Sequence, residues 1–191
     1  MKIVFLDVDG VLNSSRSILS RTGPRWSTRS RMAYDELCEL GETDKEGKMP
    51  YGPSETINTI DAVAVDLVNR LLRKSEAQLV LSTSHRSFFL SEGFRSQSHL
   101  YALNLYFTTI GIEHPIFDIT PKLHVQRGLE VAHWLDEQTE LSISHYVILD
   151  DAKEFHPLQT FVWCDPQIGF SAANYFECCK HLVVQESTII F

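Results

Sequence analysis

The chain has 191 residues, of which 43% are hydrophobic and 22% are charged, and this is the composition of a globular domain with a sizeable core. It excludes a disordered chain, a collagen and a coiled coil. With 17 Lys and Arg against 25 Asp and Glu, the formal net charge is -8, so the whole molecule should repel nucleic acid and anionic membranes unless a local patch reverses the sign.

The cysteines and the apolar runs predict the cellular compartment in which the protein occurs. The 4 cysteines contain no CxxC pair, and Cys178 and Cys179 are adjacent, which favours a reducing environment. The N-terminal apolar stretch Ile3 to Leu6 is cut short by Asp7, and no run is long enough to cross a membrane. We therefore expect a soluble, cytoplasmic protein without a signal peptide or a membrane partner.

The chain opens with a short run of β-forming residues, Lys2 to Asp7, which ends in acids and a glycine (KIVFLDVDG). This run predicts a buried parallel strand that stops at a functional loop. The segment Ser14 to Tyr34 has no periodic signal and no acid, and we expect a basic, loop-rich insertion there. Acids prevail from Asp35 to Lys48, before a cluster of turn residues. We interpret 14–55 as a small accessory element within one domain, 1–191.

Helical and apolar segments alternate after this insertion. The predicted helices share apolar residues at helical spacing: Asn58–Lys74, Leu100–Ile110, Val125–Glu137 and Ser171–Lys180. The predicted strands are short apolar runs: Gln78–Leu81, His145–Leu149, Thr160–Cys164 and Leu182–Gln185. Residues 111–119 should be irregular or form a short extended segment. The alternation predicts an α/β fold with a doubly wound parallel sheet.

Polar side chains follow three of the predicted strands, at the edge where open α/β sheets bind their ligands. They are Asp7 and Asp9, Thr83 and Ser84, and Asp150 and Asp151. Taken alone, Asp9 followed by Gly10 is equally well explained as an acidic turn. The second acidic pair favours a metal, because four carboxylates at one edge repel each other unless a cation neutralises them. Mg²⁺ is the usual cation for oxygen ligands.

These motifs resemble those of the haloacid dehalogenase (HAD) superfamily. The string DVDGVL after an apolar strand is similar to its first motif, and the strands ending in Thr83 and in Asp150 follow in the superfamily's order. The strings STSHR, RGLEVAHWL and YVILDD resemble more closely the HAD domains described in Swiss army knife RNA-repair proteins. The resemblance implies a HAD-like, Rossmann-like sheet with a small cap insertion, at 14–55, after the first strand.

The resemblance also implies the roles of the acids. Asp7 would attack phosphorus and form an aspartyl-phosphate. Asp9 would protonate the leaving oxygen and then deprotonate a water. Mg²⁺ would be held by the carboxylates of Asp7 and Asp150 and by the backbone carbonyl of Asp9, with Asp151 or Glu154 ordering its waters.

The phosphate itself would be bound by hydroxyl groups and a cation. Thr83 would donate to a phosphoryl oxygen, with Ser82 as the less favoured alternative. The neutralising cation is predicted to be Arg127, at the start of a helix, or else Lys122 one turn upstream; a guanidinium can pair with phosphate through two hydrogen bonds. Further substrate contacts are expected from Ser84, His85 and Arg86, although His85 has an equal structural explanation.

The basic insertion has two interpretations. It could clamp an extended phosphate substrate such as a nucleic-acid end, with Arg25 and Arg29 in contact with it. It could equally be a solvated loop whose charge offsets the acids that follow. The arginines in question are Arg16, Arg21, Arg25, Arg29 and Arg31.

Together these inferences predict a Mg²⁺-dependent phosphomonoester hydrolase acting on a phosphorylated small molecule, a nucleotide or a polynucleotide end. Substrates with several phosphates should be preferred. A C–halogen hydrolase is disfavoured, because halide release needs no proton donor such as Asp9. The alternative from another class is a non-catalytic module that binds phosphate or RNA ends on the same scaffold.

Overall fold

The computed structural model describes residues 1–20, 23–40, 57–84, 97–123 and 125–184. It contains a five-stranded parallel sheet in the order β3-β2-β1-β4-β5. The strands are β1 (Lys2–Leu6), β2 (Gln78–Leu81), β3 (Ile116–Ile119), β4 (His145–Asp150) and β5 (Phe161–Trp163). The predicted parallel α/β sheet is therefore confirmed, with β1 at its centre.

Helices cover both faces of this sheet. Those in the described part of the chain are α1 (Ser15–Ser20), α2 (Thr28–Leu40), α3 (Ala62–Ser75), α4 (Gln97–Thr109), α5 (Arg127–Glu137) and α6 (Ala172–His181). Val131 and Trp134 of α5 pack on one face. Residues of α2, α3, α4 and α6 join the larger core on the other face. Parallel strands flanked by helices on two sides form a doubly wound fold.

Strand β1 is buried on both faces, which explains why its sequence is apolar without alternation. Ile3 and Phe5 belong to the cluster beneath α5, whereas Val4 and Leu6 belong to the larger core. Because successive side chains of a strand point to opposite faces, the next residue, Asp7, points toward the α5 side. Because of this alternation along β1, the side chain of Asp7 lies on the face of the sheet that α5 covers.

Trp134 holds α5 on the sheet. Its ring packs edge-on against Phe5, with 5.3 Å between the ring centroids. Its Nε1 donates a hydrogen bond to Asp118 Oδ2 at 2.8 Å, next to the end of β3. The indole therefore combines apolar burial with one polar contact to a neighbouring strand.

We expect Trp134→Phe to lower the free energy of unfolding by about 1–3 kcal/mol, because it removes a hydrogen bond to a carboxylate that is half-buried. Urea denaturation measures the change. Trp26→Phe is the matched control: this tryptophan is exposed, and we expect its replacement to change stability by no more than about 0.5 kcal/mol. Equal effects at the two positions would contradict the anchoring role of Trp134.

Two predicted features are wrong. The segment Ser14 to Tyr34 is not loop-rich, since it contains α1 and the first half of α2, and α2 packs against α4. The periodicity was weak because few apolar side chains of α2, chiefly Ala33 and Leu37, enter the core. Residues 21–22 and 41–55 of the accessory element lie outside the described residues, and the cap stays a prediction.

The second error concerns the predicted strand Leu182–Gln185. The backbone N–H groups of Val183 and Val184 donate to the carbonyls of Lys180 and Cys179, so residues 182–184 close the end of α6. An N–H group that caps a helix is not available to a sheet. Gln185 lies outside the described residues.

Candidate active site

Three carboxylates meet at the carboxyl edge of the sheet. Asp7 directly follows β1, and Asp150 is the last residue of the neighbouring β4. Both are buried, Asp151 is half-buried, and one oxygen from each of the three lies within 4.8 Å of the others. The structure thus brings together three of the four predicted metal ligands. Asp9 and Glu154 are exposed.

Arg127 lies between the two buried carboxylates. Its Nη1 donates to Asp7 Oδ2 and, at 2.6 Å, to Asp150 Oδ2. The helix α5 begins at this residue, and its first turn packs on the loop after β4, where Gln159 Nε2 donates to the Gly128 carbonyl at 2.8 Å. A Cβ on Gly128 would lie 2.7 Å from Gln159 Oε1, so glycine permits the approach that positions Arg127. 

The alternative cation, Lys122, is exposed in the segment before α5. Its placement does not test whether Lys122 or Arg127 neutralises a bound phosphate. That assignment stays a prediction, and the contacts of Arg127 support it.

The pKa shifts show that burial outweighs the charge of Arg127 at both buried acids. Burial raises the pKa of Asp7, and the nearby Arg127 guanidinium opposes the rise. Burial and the charge of Asp7 raise the pKa of Asp150 to about 7, again against the effect of Arg127. Burial lowers the pKa of Arg127, but the two carboxylates outweigh it and raise that pKa. One guanidinium shared by two buried acids leaves a further cation favourable.

The loop after Asp7 is closed by Asn13. Its Oδ1 accepts from the Gly10 backbone N–H, and its Nδ2 donates to Asp9 Oδ1, each at 2.9 Å. Gly10 has φ +70°, in the left-handed region, and a Cβ there would overlap the Asp151 carboxylate. Asp9 and Gly10 therefore form a turn. Because Gly10 has no side chain, this turn leaves room for the Asp151 carboxylate beside the other acids. Sequence reasoning missed Asn13, whose one signal was its position three residues after Gly10.

The end of β2 contributes hydroxyl groups. Thr83 is buried, and a hydrogen bond from its side chain to Asp7 helps to lower the pKa of that acid. Ser82 Oγ is also buried and has no hydrogen-bond partner among the described residues, while Ser84 is exposed. The predicted contacts His85 and Arg86 lie outside the described residues.

We expect Thr83→Val to lower kcat by about 10- to 100-fold, because the Asp7 carboxylate would lose the hydroxyl that orients it. Ser82→Ala should have a smaller effect, since it removes a hydroxyl that has no hydrogen-bond partner within the described part of the chain. Steady-state kinetics on a phosphate ester compares the two variants. A larger loss in Ser82→Ala would assign the phosphoryl contact to Ser82.

The arginines of the basic segment contact other elements. Arg16 pairs with Asp61 and Arg25 with Asp66, each at 2.8 Å. Arg25 and Arg29 line a cavity of about 580 Å³ along α3 and residues 110–114. No residue of the acidic cluster is among the described residues that line it. Arg31 is exposed, and Arg21 lies outside the described residues.

For Trp163, the last residue of β5, the strand position predicts a packing residue, but the side chain is 38% exposed and contacts the loop that carries the acids. Its Nε1 donates to the Asp151 carbonyl at 2.8 Å, and the Ala152 N–H donates to Asp150 Oδ1 at 2.8 Å. Lys153 Nζ lies 4.1 Å from the centroid of the indole. The loop that carries Asp150 and Asp151 is thus hydrogen-bonded to β5. This contact becomes visible only when the register of β4 and β5 is known.

A doubly wound parallel sheet with Asp7 directly after its central strand, and with acids after the neighbouring strand, is the arrangement of a HAD-type domain. The model of the family described as the HAD domain in Swiss Army Knife RNA repair proteins matches residues 3–175, and the chain belongs to this family. Neither the curated proteins nor the solved structures include a significant match. Among the helices of the described residues, none is long and apolar enough to span a membrane.

Proposed function

We propose that the protein is a Mg²⁺-dependent phosphomonoester hydrolase that acts through an aspartyl-phosphate on Asp7. The proposed substrate is a nucleotide or the phosphorylated end of a polynucleotide. The observation that carries the proposal is the buried Asp7 carboxylate held by Arg127 beside Asp150. Such a carboxylate can attack phosphorus, while the guanidinium offsets the charge of the incoming phosphoryl group.

The donor set fits Mg²⁺. Asp7, Asp150 and Asp151 offer oxygen ligands within 4.8 Å of one another, and the raised pKa values of the buried pair favour an additional cation. Asp7 and Asp150 would hold the metal through their carboxylates and Asp9 through its backbone carbonyl. Bound there, Mg²⁺ would neutralise negative charge on the transferred phosphoryl group.

The chain's own residues perform the proton transfers and the nucleophilic attack. An oxygen of Asp7 forms a bond to phosphorus as the ester O–P bond breaks, and Asp9 gives its proton to the leaving oxygen. Asp9 then takes a proton from the water that attacks the aspartyl-phosphate, which releases inorganic phosphate and restores Asp7. Thr83 orients Asp7 throughout.

Two observations bear on the substrate. Membership of a family of RNA-repair domains supports a nucleic-acid end as the source of the phosphate. The basic segment gives less support than its composition suggested, because Arg16 and Arg25 are already paired with acids of the α3 region. With a net charge of -8, the protein would have to attract a nucleic acid through contacts close to the site.

We expect chelation by EDTA to lower phosphate release from a phosphorylated oligoribonucleotide by about 100-fold or more, and added Mg²⁺ to restore it. Asp150→Asn should need a higher Mg²⁺ concentration for half-maximal rate, because it removes one carboxylate ligand. A panel of nucleoside 3′- and 5′-phosphates, phosphorylated oligonucleotides, sugar phosphates and phosphopeptides then identifies the substrate class.

Two outcomes would overturn this function. An enzyme that keeps its rate in EDTA would exclude the metal-dependent mechanism. Tight binding of phosphorylated RNA ends without turnover in Mg²⁺, Mn²⁺ or Co²⁺ would identify a non-catalytic binding module instead.

A further inference from the structure

Trp163 lies one strand beyond the catalytic cluster, on the same face of the sheet. It pairs in register with Asp150 across the parallel strands β4 and β5. Side chains that pair across strands point to the same face, and neighbouring strands are about 4.8 Å apart. Asp7, Asp150 and Trp163 therefore follow one another across three adjacent strands, so the backbone of Trp163 lies roughly 10 Å from that of the nucleophile.

The indole of Trp163 is fixed at one edge and open to solvent. Its Nε1 donates to the Asp151 carbonyl at 2.8 Å, which sets the orientation of the ring. The residue is 38% exposed, whereas Trp134, which fills the core, is 2% exposed. A tryptophan held in this way presents a rigid aromatic surface beside the acids.

Lys153 places a cation over this surface. Its Nζ lies 4.1 Å from the ring centroid, and among the described residues Lys153 has no salt-bridge partner. An exposed cation–π contact strengthens an interaction by about 2- to 5-fold, whereas a base stacked on an aromatic ring contributes about 5- to 150-fold. A nucleobase can therefore displace the ammonium from the ring, and the displaced ammonium remains close enough to pair with a neighbouring phosphate.

We propose that Trp163 and Lys153 form the subsite for the nucleoside that carries the scissile phosphate, with its base stacked on the indole. The inference rests on the proposed function at Asp7 and adds to it the residues that recognise the nucleoside. The enzyme takes nucleoside phosphates, free or at the end of an RNA strand, in preference to phosphate esters of non-aromatic alcohols. Because every base has a π-face, stacking selects nucleotides without selecting among the bases.

Two substitutions separate stacking from support of the Asp151 loop. Trp163→Phe and Trp163→Leu both remove the N–H that bonds to the Asp151 carbonyl, but only Trp163→Leu removes the aromatic ring. Each variant is assayed by phosphate release with adenosine 3′- or 5′-monophosphate, a phosphorylated oligoribonucleotide and glycerol phosphate. Glycerol phosphate is the reference because it has no ring to stack.

In Trp163→Leu we expect the ratio of kcat/KM for the nucleotide to kcat/KM for glycerol phosphate to fall about tenfold or more. Trp163→Phe should keep most of that ratio, because the smaller ring still stacks. An equal fall in both variants, or none in either, overturns the subsite and leaves Trp163 as a support for the loop. A fall confined to the oligonucleotide would place the contact on the strand beyond the terminal nucleoside and would also overturn it.

A binding measurement keeps this test independent of turnover. In the Asp7→Asn background, isothermal titration with adenosine monophosphate in Mg²⁺ should give a Kd about tenfold higher when Trp163 is Leu than when it is Phe. If no ester is hydrolysed by the wild-type protein but this difference appears, the hydrolase proposal fails and the subsite stands. If nucleotides and glycerol phosphate are hydrolysed with an unchanged ratio, the subsite fails and the hydrolase stands.

Discussion

The Asp7→Asn protein is expected to lose phosphate release by about 10⁴-fold or more, while its melting temperature stays at or above that of the wild type. An amide cannot form the aspartyl-phosphate. The fold should tolerate the Asp7→Asn substitution, because burial already disfavours the charge of Asp7. Arg127 also keeps its hydrogen bond to Asp150. Phosphate-release kinetics and thermal denaturation measure the two effects.

Asp9→Asn is the matched comparison for this prediction. Asp9 is exposed and, in the proposed mechanism, acts on the leaving oxygen and on the water, so its loss should slow both half-reactions without preventing attack by Asp7. Mass spectrometry after an acid quench should find a phosphoryl group on Asp7 in this variant. If the phosphoryl group is absent from Asp7, or if Asp7→Asn turns over at a rate near that of the wild type, the covalent mechanism is excluded.

Arg127→Met is expected to lower the free energy of unfolding of the metal-free protein by about 3–5 kcal/mol. The substitution leaves Asp7 and Asp150 buried side by side without the guanidinium that bonds to both. Mg²⁺ should stabilise this variant more than the wild type, because the metal then supplies the missing positive charge. Activity should fall by about 100-fold or more even at saturating Mg²⁺. Urea denaturation with and without Mg²⁺ is the measurement.

Lys122→Met tests the alternative cation. Lys122 is exposed, so its replacement should change stability by no more than about 0.5 kcal/mol and should leave most of the activity. If Lys122→Met abolished turnover while Arg127→Met remained active, the phosphate-neutralising role would pass to Lys122. Arg127 would then be a structural partner of the two aspartates.

The centre of the fold could be predicted from sequence because one stretch carries two independent signals. The run from Lys2 to Asp7 is apolar enough for a doubly buried strand, and its acids stand where parallel sheets hold their ligands. The run before Asp150 repeats the pattern. Since the carboxyl ends of parallel strands share one edge, the meeting of Asp7, Asp150 and Asp151 follows from the order of the strands.

The features of the site that could not be predicted from sequence depend on contacts between residues far apart in the chain. The ion pairs of Arg16 with Asp61 and of Arg25 with Asp66 leave no local pattern, so a basic segment was open to a binding interpretation. The sequence alone does not distinguish the exposed Trp163 from a tryptophan of the core, because exposure depends on which distant residues pack over the indole. Its register with Asp150 becomes visible once β4 and β5 are paired.

The pleat of β1 also limits how this domain can change in length during evolution. Ile3, Phe5 and Asp7 face one side of the sheet, and Val4 and Leu6 face the other. Inserting or deleting a single residue within this strand would exchange the two sets and direct Asp7 into the larger apolar core. A two-residue change preserves the alternation. Viable length variants among relatives should therefore be found in the loops, or within strands as pairs of residues.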